Sequence, residues 1–354
     1  MDEKRIVTFG AIMEKHRAEI HSATLPPLKE DELLLKMETC NICTTDYQQW
    51  QGLRDHYGFP MAGGHEYCGI IVEKGERVNE RFQLGDRVSS GCRGCGYCDA
   101  CRLGNQSECK NPPSGVEYAA DFLGGKGFAN YKIIKQSNAF RLTKNIPAAE
   151  ASFLEPVATV VQGIRHARIA PTETVVVIGA GTMGLVNAQV ARAFGARVII
   201  TDISKKKVER ANQMGIATVI NAADDDPVAT VKDLTGGQGA DVVIAAVGST
   251  LAYQQAMEML THFRGRFLIF PAGYPKPELH IDPNEMHYRK TEIIGSYEAN
   301  EDDYVLAARL LNYGMIDMQY SLEGKVFPLR EINAAFEAAA TPDTYRITVD
   351  LQDI

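Results

Sequence analysis

About the first 150 residues are patterned in short apolar stretches broken by glycine and charge, among them LLLKMETC (33–40), GIIVEKG (69–75) and DRVSSG (86–91). Stretches of this length, rich in β-branched residues and bounded by turn formers, predict a mostly-β region. The period lengthens in NIPAAEASFLEPVATVVQGI (145–164), which predicts helix. Strand and helix patterns then alternate through TVVVIGAG, ARVIITD, NQMGIATVIN, ADVVIAAVG and GRFLIFPAG, as in an open α/β sheet. The pattern changes again near residue 295, and the tail VFPLREINAAFEAAATPDTYRITVDL reads as helix followed by strand. No internal repeat and no low-complexity segment interrupts this order.

The most informative stretch of the alternating half is TVVVIGAGTMGLVNAQVARAFGARVIITD (174–202). A buried strand, Val175 to Ile178, runs into Gly179, Gly181 and Gly184 in a G-x-G-x-x-G spacing that opens an amphipathic helix. The first glycine makes the turn, the second lets the backbone approach a pyrophosphate, and the third lets helix and strand pack closely. Phosphates are favoured at such a helix start by its free N–H groups and its dipole. The next strand ends in Asp202, whose carboxylate can accept hydrogen bonds from both ribose hydroxyls and repel a 2′-phosphate. NAD is therefore expected over NADP. The lysines at 205–207 are a solvated helix start on the plain reading.

Composition narrows the class. The chain has 354 residues, 45% of them hydrophobic and 23% charged, which is enough for two domains and too much for one core. A formal charge of −8 argues against nucleic acid or an anionic membrane as partner. No apolar run has the length of a membrane span, and MDEKRIVTFG has the wrong order of charge and hydrophobicity for a signal peptide. A cytoplasmic, reducing setting is the expectation, where clustered cysteines serve metals more often than disulfides.

Five of the eight cysteines fall in CRGCGYCDACRLGNQSEC (92–109). Cys95, Cys98, Cys101 and Cys109 are spaced C-x2-C-x2-C-x7-C, which lets tight turns aim four thiolates at one point. That is a closed, structural zinc site; an iron–sulfur cluster or a redox dithiol is the alternative. Cys92 reads as a spare thiol. A second, mixed donor set is spread over CNICTTD, GGHEYCG and LEPVA, which carry Cys43, Asp46, His65, Glu66 and Glu155. Thiolate, imidazole and carboxylate together leave room for water or substrate on a metal.

The motifs CTTD, GGHEYCG, GERVNERFQLGDRV, the four-cysteine loop, GGKGFANY, LEPVA and GAGTMG occur in the order found in the zinc-containing medium-chain alcohol dehydrogenases. The chain resembles that family over nearly its whole length, the sorbitol and threonine dehydrogenase branch most. The resemblance implies an α/β protein: a GroES-like, mostly-β catalytic domain (1–155 and 296–354) and a Rossmann, doubly wound parallel-sheet domain (156–295). It implies one structural zinc and one catalytic zinc, the latter held by Cys43 and His65 with Glu66 and Glu155 as direct or water-mediated ligands. Asp46 would steady the His65 ring, Cys40 would be a small buried side chain, and Lys207 would lie beside the adenosine ribose.

The implied activity is hydride transfer between NAD and a secondary alcohol or ketone, a small-molecule partner, by a homodimer or homotetramer. Thr45 takes the position of the family's proton-relay hydroxyl, or else caps a turn. Two departures bear on substrate: Gln48 stands where many relatives have a relay histidine, and Glu298 and Ala299 replace an Arg-Tyr pair of the sorbitol-type members. Trp50, the one tryptophan, either walls the pocket or packs in the core. The competing readings are a zinc-free NADPH quinone or enone reductase and a non-enzymatic zinc or nucleotide sensor.

Overall fold

The computed structural model describes residues 5–54, 57–91, 94–112, 118–273 and 275–354; Cys92 lies outside them. The chain forms two compact units. One comprises Met1–Glu155, Ala299–Gly314 and Leu322–Ile354, the other Pro156–Glu298 and Met315–Ser321. Residues 296–298 and 315–321, expected in the first domain, thus group with the second. The second of these segments is tied there by a reciprocal pair: Gln189 Nε2 donates to the Asp317 carbonyl at 2.8 Å, and the Asp317 N–H to Gln189 Oε1 at 2.7 Å.

The first unit opens with an antiparallel pair, β1 (Ile6–Glu14) and β2 (Arg17–Thr24). It continues with β3 (Glu32–Asn41), β4 (Glu66–Lys74), β5 (Arg87–Ser90), β6 (Tyr131–Lys135) and β7 (Ala139–Leu142). In the second unit β8 (Thr174–Ile178), β9 (Arg197–Asp202), β10 (Thr218–Asn221), β11 (Val242–Ala245), β12 (Arg266–Ile269) and β13 (Glu292–Gly295) form one sheet. The chain then returns to the first unit with β14 (Leu322–Pro328) and β15 (Arg346–Asp350).

In the first unit's larger sheet the order is β14-β15-β3-β4-β5-β7, with β6 also on β3. β3 is therefore central, and its run Leu33, Leu34, Leu35 is buried on successive residues rather than alternate ones. Register then brings distant residues together. Asn41 at the end of β3 pairs with Glu66 at the start of β4, and Thr348 of β15 pairs with the same Asn41. Extending the antiparallel β15–β3 register by one alternation sets Arg346 beside Cys43, on the side-chain face of the sheet's end.

The second unit's sheet is wholly parallel, in the order β10-β9-β8-β11-β12-β13. Relabelled in chain order that is 3-2-1-4-5-6, the doubly wound arrangement whose ligands bind at the C-terminal strand ends where the order reverses. Val175, Val176 and Val177 of β8 are fully buried, as strands covered on both faces must be. β8 leads through Gly179 into the helix Thr182–Ala193, for which Gly181 is the N-cap.

Each glycine of this loop has its own reason. Gly179 has φ +101°, a conformation that side chains rarely adopt. A Cβ on Gly184 would stand 1.8 Å from the Gly179 carbonyl oxygen, whereas one on Gly181 would meet no atom within 4 Å. Gly184 thus serves internal packing and Gly181 leaves its outer side open. Gly184→Ala is expected to cost about 1–3 kcal/mol or more through overpacking against backbone, which cannot rotate away. A denaturant midpoint equal to that of the unsubstituted protein would show that the helix shifts to make room.

Candidate functional site

The mixed donor set comes together where β3, β4 and β15 end. Ligand atoms of Cys43, His65 and Glu66 all lie within 4.8 Å of one another. Cys43 is the N-cap of the short helix Thr44–Trp50. Asp46, at the third position of that helix, accepts the Cys43 N–H at 3.1 Å and the Gly64 N–H at 3.2 Å, so one buried carboxylate ties the cysteine turn to the histidine turn. Gly63 is needed for this, since a Cβ there would stand 2.8 Å from Asp46 Oδ1.

The same carboxylate faces the His65 ring, with Oδ2 3.8 Å from Nδ1. That arrangement turns the other ring nitrogen toward the donor cluster, as outer-shell carboxylates do for metal-binding histidines. Burial works against the His65 cation, but Asp46 and then Cys43 hold the imidazole well above its usual range. Burial also raises the Asp46 carboxyl. Three donors of different type, crowded together and charged this way, fit a divalent metal better than they fit one another.

Glu66 has a partner that sequence reading missed. Its carboxylate, 1% exposed, receives Arg346 Nε at 2.9 Å and Nη2 at 2.7 Å, and the Arg346 side chain is 6% exposed. Arg346 Nη2 also lies 3.5 Å from Cys43 Sγ. Burial opposes the guanidinium charge, yet Glu66 and Cys43 keep it firmly protonated. The available signal was a lone cation in the apolar alternation YRITVDL, although nothing local named its partner. Glu155, in the first turn of the helix Leu154–His166, does not join the 4.8 Å cluster. It still belongs to the same electrostatic neighbourhood: burial, followed by repulsion from Glu66 and Asp46, pushes its carboxyl up to about 7 against the pull of His65 and Arg346.

Thr45 Oγ1 sits 3.8 Å from Cys43 Sγ and 3.5 Å from Arg54 Nη1. Of these neighbours Cys43 belongs to the donor cluster. Trp50 belongs to the first unit's core: it is 6% exposed, packs edge-on to His16 and donates from Nε1 to Asn333 Oδ1 at 3.0 Å. Cys40 is fully buried in the same core, and burial raises its thiol well above the ordinary range. One turn after Thr45, Gln48 Oε1 is buried with no hydrogen-bond partner among the described residues.

The second cluster is made of sulfur alone. Sγ atoms of Cys95, Cys98, Cys101 and Cys109 lie within 4.8 Å of one another, with Cys95–Cys101 and Cys98–Cys109 each at 3.9 Å. Four sulfurs about 2.3 Å from a tetrahedral centre stand about 3.8 Å apart, so the spacing matches zinc. It is far beyond the roughly 2.05 Å of a disulfide, and all four thiols are free. Backbone N–H groups point at the sulfurs, Cys95 to Cys109 Sγ at 3.3 Å and Cys98 to Cys95 Sγ at 3.4 Å.

In the glycine loop, Asp202 closes β9 and its two oxygens accept the N–H of Ala180 at 2.6 Å and of Ser204 at 2.8 Å. Each oxygen keeps a further lone pair. The carboxylate thus fixes the loop while staying able to accept from a ribose. Lys207 is the third residue of the helix Lys205–Met214 and is half-buried, as its long aliphatic stem allows. Gly179, Gly181 and the open side of the following helix start form a cradle suited to a dinucleotide.

Truncating Arg346 tests the buried pair. Arg346→Met leaves Glu66 as an uncompensated buried charge and is expected to destabilise the first unit by about 3–5 kcal/mol. The double variant Arg346→Met/Glu66→Gln should recover a large part of that loss. Equal denaturant midpoints for the single and double variants would mean that the pair is not coupled.

Comparison with known proteins accords with this geometry. The alcohol dehydrogenase GroES-like domain matches residues 29–144, and the zinc-binding dehydrogenase domain matches residues 182–312. An L-threonine 3-dehydrogenase of Chromobacterium violaceum is 32% identical over 284 residues, covering 79% of this chain and 80% of that one. An L-galactonate-5-dehydrogenase of Escherichia coli is 30% identical over 314 residues, covering 88% and 89%. In fold, the chain matches a zinc-binding dehydrogenase of Sinorhizobium meliloti bound to NADP, with a TM-score of 0.85 at 24% identity over 98% of this chain and 100% of that one. With both domains matched in order and a relative of this identity over most of its length, the chain belongs to the zinc-containing medium-chain alcohol dehydrogenases, in their sorbitol/threonine dehydrogenase-like branch, and is an oxidoreductase acting on CH–OH donors.

Proposed function

We propose that this enzyme is a cytoplasmic homodimer or homotetramer that interconverts a secondary alcohol and its ketone with NAD, using one catalytic and one structural zinc. The observation that carries the reading is the 4.8 Å cluster of Cys43, His65 and Glu66, a thiolate–imidazole–carboxylate set with a buried counter-cation behind it. Cys43 and His65 would hold the catalytic metal, Glu66 and Glu155 would complete its shell directly or through water, and Cys95, Cys98, Cys101 and Cys109 would hold the structural one. A zinc in the first set supplies Lewis acidity toward an alcohol oxygen, and the nicotinamide supplies the hydride acceptor.

The chain's own residues do the rest. Asp46 orients the His65 ring through the nitrogen its carboxylate faces and so leaves the other nitrogen for a metal. Arg346 gives the buried Glu66 carboxylate its counter-cation and fixes its orientation through two hydrogen bonds. Thr45 Oγ1, beside Cys43, takes the carbinol proton and passes it outward, since the hydroxyl is donor and acceptor at once. N–H groups at the start of the helix Thr182–Ala193 receive the pyrophosphate, and Asp202 the adenosine ribose. Gln48, standing where relatives place a histidine, cannot titrate near neutral pH, so the proton leaves Thr45 by another route.

Metal analysis and turnover test the division of labour. About two zincs per chain are expected. Cys43→Ala or His65→Ala should retain one zinc and cofactor binding while turnover falls about 10³-fold or more, the equivalent of several kcal/mol of lost charge stabilisation. Cys98→Ser should lose the other zinc and cost stability before chemistry. Near-normal turnover in Cys43→Ala or His65→Ala would sink the assignment.

Cofactor choice is tested at Asp202. Asp202→Gly should shrink the NAD/NADP preference in kcat/KM about 10- to 100-fold, the worth of hydrogen bonds to a charged group. An unchanged ratio would remove Asp202 as selector.

A further inference from the structure

We infer that Lys126 and Tyr118 form a site for a small oxyanion, a carboxylate or a phosphate group, beside the turn that carries His65. The inference goes beyond the dehydrogenase reading and does not depend on it. Lys126 stands in GGKGFANY (124–131), a stretch bound to the histidine turn through its backbone. The Lys126 N–H donates to the Ala62 carbonyl and the Gly127 N–H to the Gly63 carbonyl, each at 2.8 Å. A Cβ on Gly127 would stand 2.3 Å from the Gly64 carbonyl oxygen, so the two backbones are in contact. Lys126 itself has φ +52°, a left-handed conformation that favours glycine and that other residues hold mainly where function requires them.

Lys126 is 3% exposed, and its Nζ donates to the Phe122 carbonyl at 3.0 Å, which leaves two N–H donors. Burial draws the ammonium below its usual range, and no carboxylate among the described residues offsets that pull. A carbonyl offers a dipole but no counter-charge, and an ammonium taken out of water needs one. Nζ also lies 5.9 Å from the centre of the Tyr118 ring. Tyr118 is 4% exposed, and its Oη has no hydrogen-bond partner among the described residues. Burial pushes this hydroxyl up, so it remains a donor at working pH. Phe9 packs edge-on against both Tyr118 and Phe122, which keeps the surroundings apolar. Ammonium and phenol thus stand side by side without bonding to each other, one short of charge and the other short of an acceptor. A water would answer the hydroxyl but not the charge; an oxyanion answers both.

The test is thermal unfolding of the zinc-loaded enzyme with acetate or phosphate in place of chloride, at equal ionic strength and pH. At least one of the two should raise the midpoint by about 2–4 °C over chloride. Lys126→Met keeps the stem and drops the charge, and should lose that increment; Lys126→Arg should keep part of it. A general effect of the salts on burial, or anion binding at the proposed catalytic zinc, would persist in Lys126→Met. An increment absent from the unsubstituted enzyme, or unmoved by Lys126→Met, overturns the inference. Where Lys126→Met folds poorly, Tyr118→Phe decides: a reduced increment supports the site and an unchanged one overturns it. Inhibition kinetics with 2-butanol as substrate then separate the sources of the anion. Competition that disappears in Lys126→Met marks the seat of the substrate's own anionic group, and unchanged kinetics beside the thermal increment mark a free anion. Melting needs no turnover, so a failure of the dehydrogenase reading leaves this test intact.

Discussion

A carboxylate removed from water must either lose its charge or find a cation, and in the first unit Glu66 meets that requirement with Arg346. The pair joins residues 280 positions apart and can form only when β15 has paired with β3 and β3 with β4 in the observed register. A slip of one residue would turn Arg346 to the opposite face and strand Glu66. The donor cluster is therefore a product of the finished sheet, and the C-terminal strand, which carries no ligand itself, is what completes it. Charge satisfaction and register specify the same structure, which is how a buried ion pair can contribute specificity even where it adds little net stability.

What could be read from sequence divides along the same line. The glycine loop was legible because strand, turn, helix and acid follow one another within about thirty residues, and each glycine answers a local steric demand. The four-cysteine loop was legible for the same reason: spacing alone decides whether the thiols can converge. Cys43, His65 and Glu66 were legible as a possible donor set by their chemistry, and family likeness gave the set its weight, since no local rule brings residue 43 to residue 65. The partners of Arg346 and of Trp50 were not legible, because both depend on the tail's path back into the first unit. Trp50 shows how this misleads. A lone tryptophan seven residues after Cys43 invites a pocket role, yet its indole N–H needed a buried acceptor and Asn333 supplied one in the core.

The two sulfur-bearing centres differ in what holds them. Around Cys43 and His65 the framework consists of a central strand, a carboxylate clamped by backbone N–H groups, and a buried guanidinium. Among the described residues the cysteine lobe shows less support of this kind. Its regular structure amounts to the short helical turns Asp99–Arg102 and Gln106–Glu108, and Tyr97 and Leu103 lie largely exposed. Its firm tether is to the helix Glu301–Asn312, where Asn300 Oδ1 accepts the Ser107 N–H at 3.0 Å and the hydroxyl at 2.9 Å.

With so little apolar surface to bury, the lobe cannot offset its ordering entropy by packing. Its sulfurs add a second demand. Backbone N–H groups from Tyr97 and Cys98 outweigh desolvation and draw the Cys95 thiol down to about 6, whereas Cys101, despite an N–H from Gly96, is pushed up to about 11 by desolvation and by its hydrogen-bonded cysteine neighbours. A divalent cation bound there would let all four carry charge, and its binding energy would then contribute to folding of the lobe. On that argument the proposed structural zinc is a condition of the loop's shape, and through Asn300 and Ser107 a condition of how the helix Glu301–Asn312 begins.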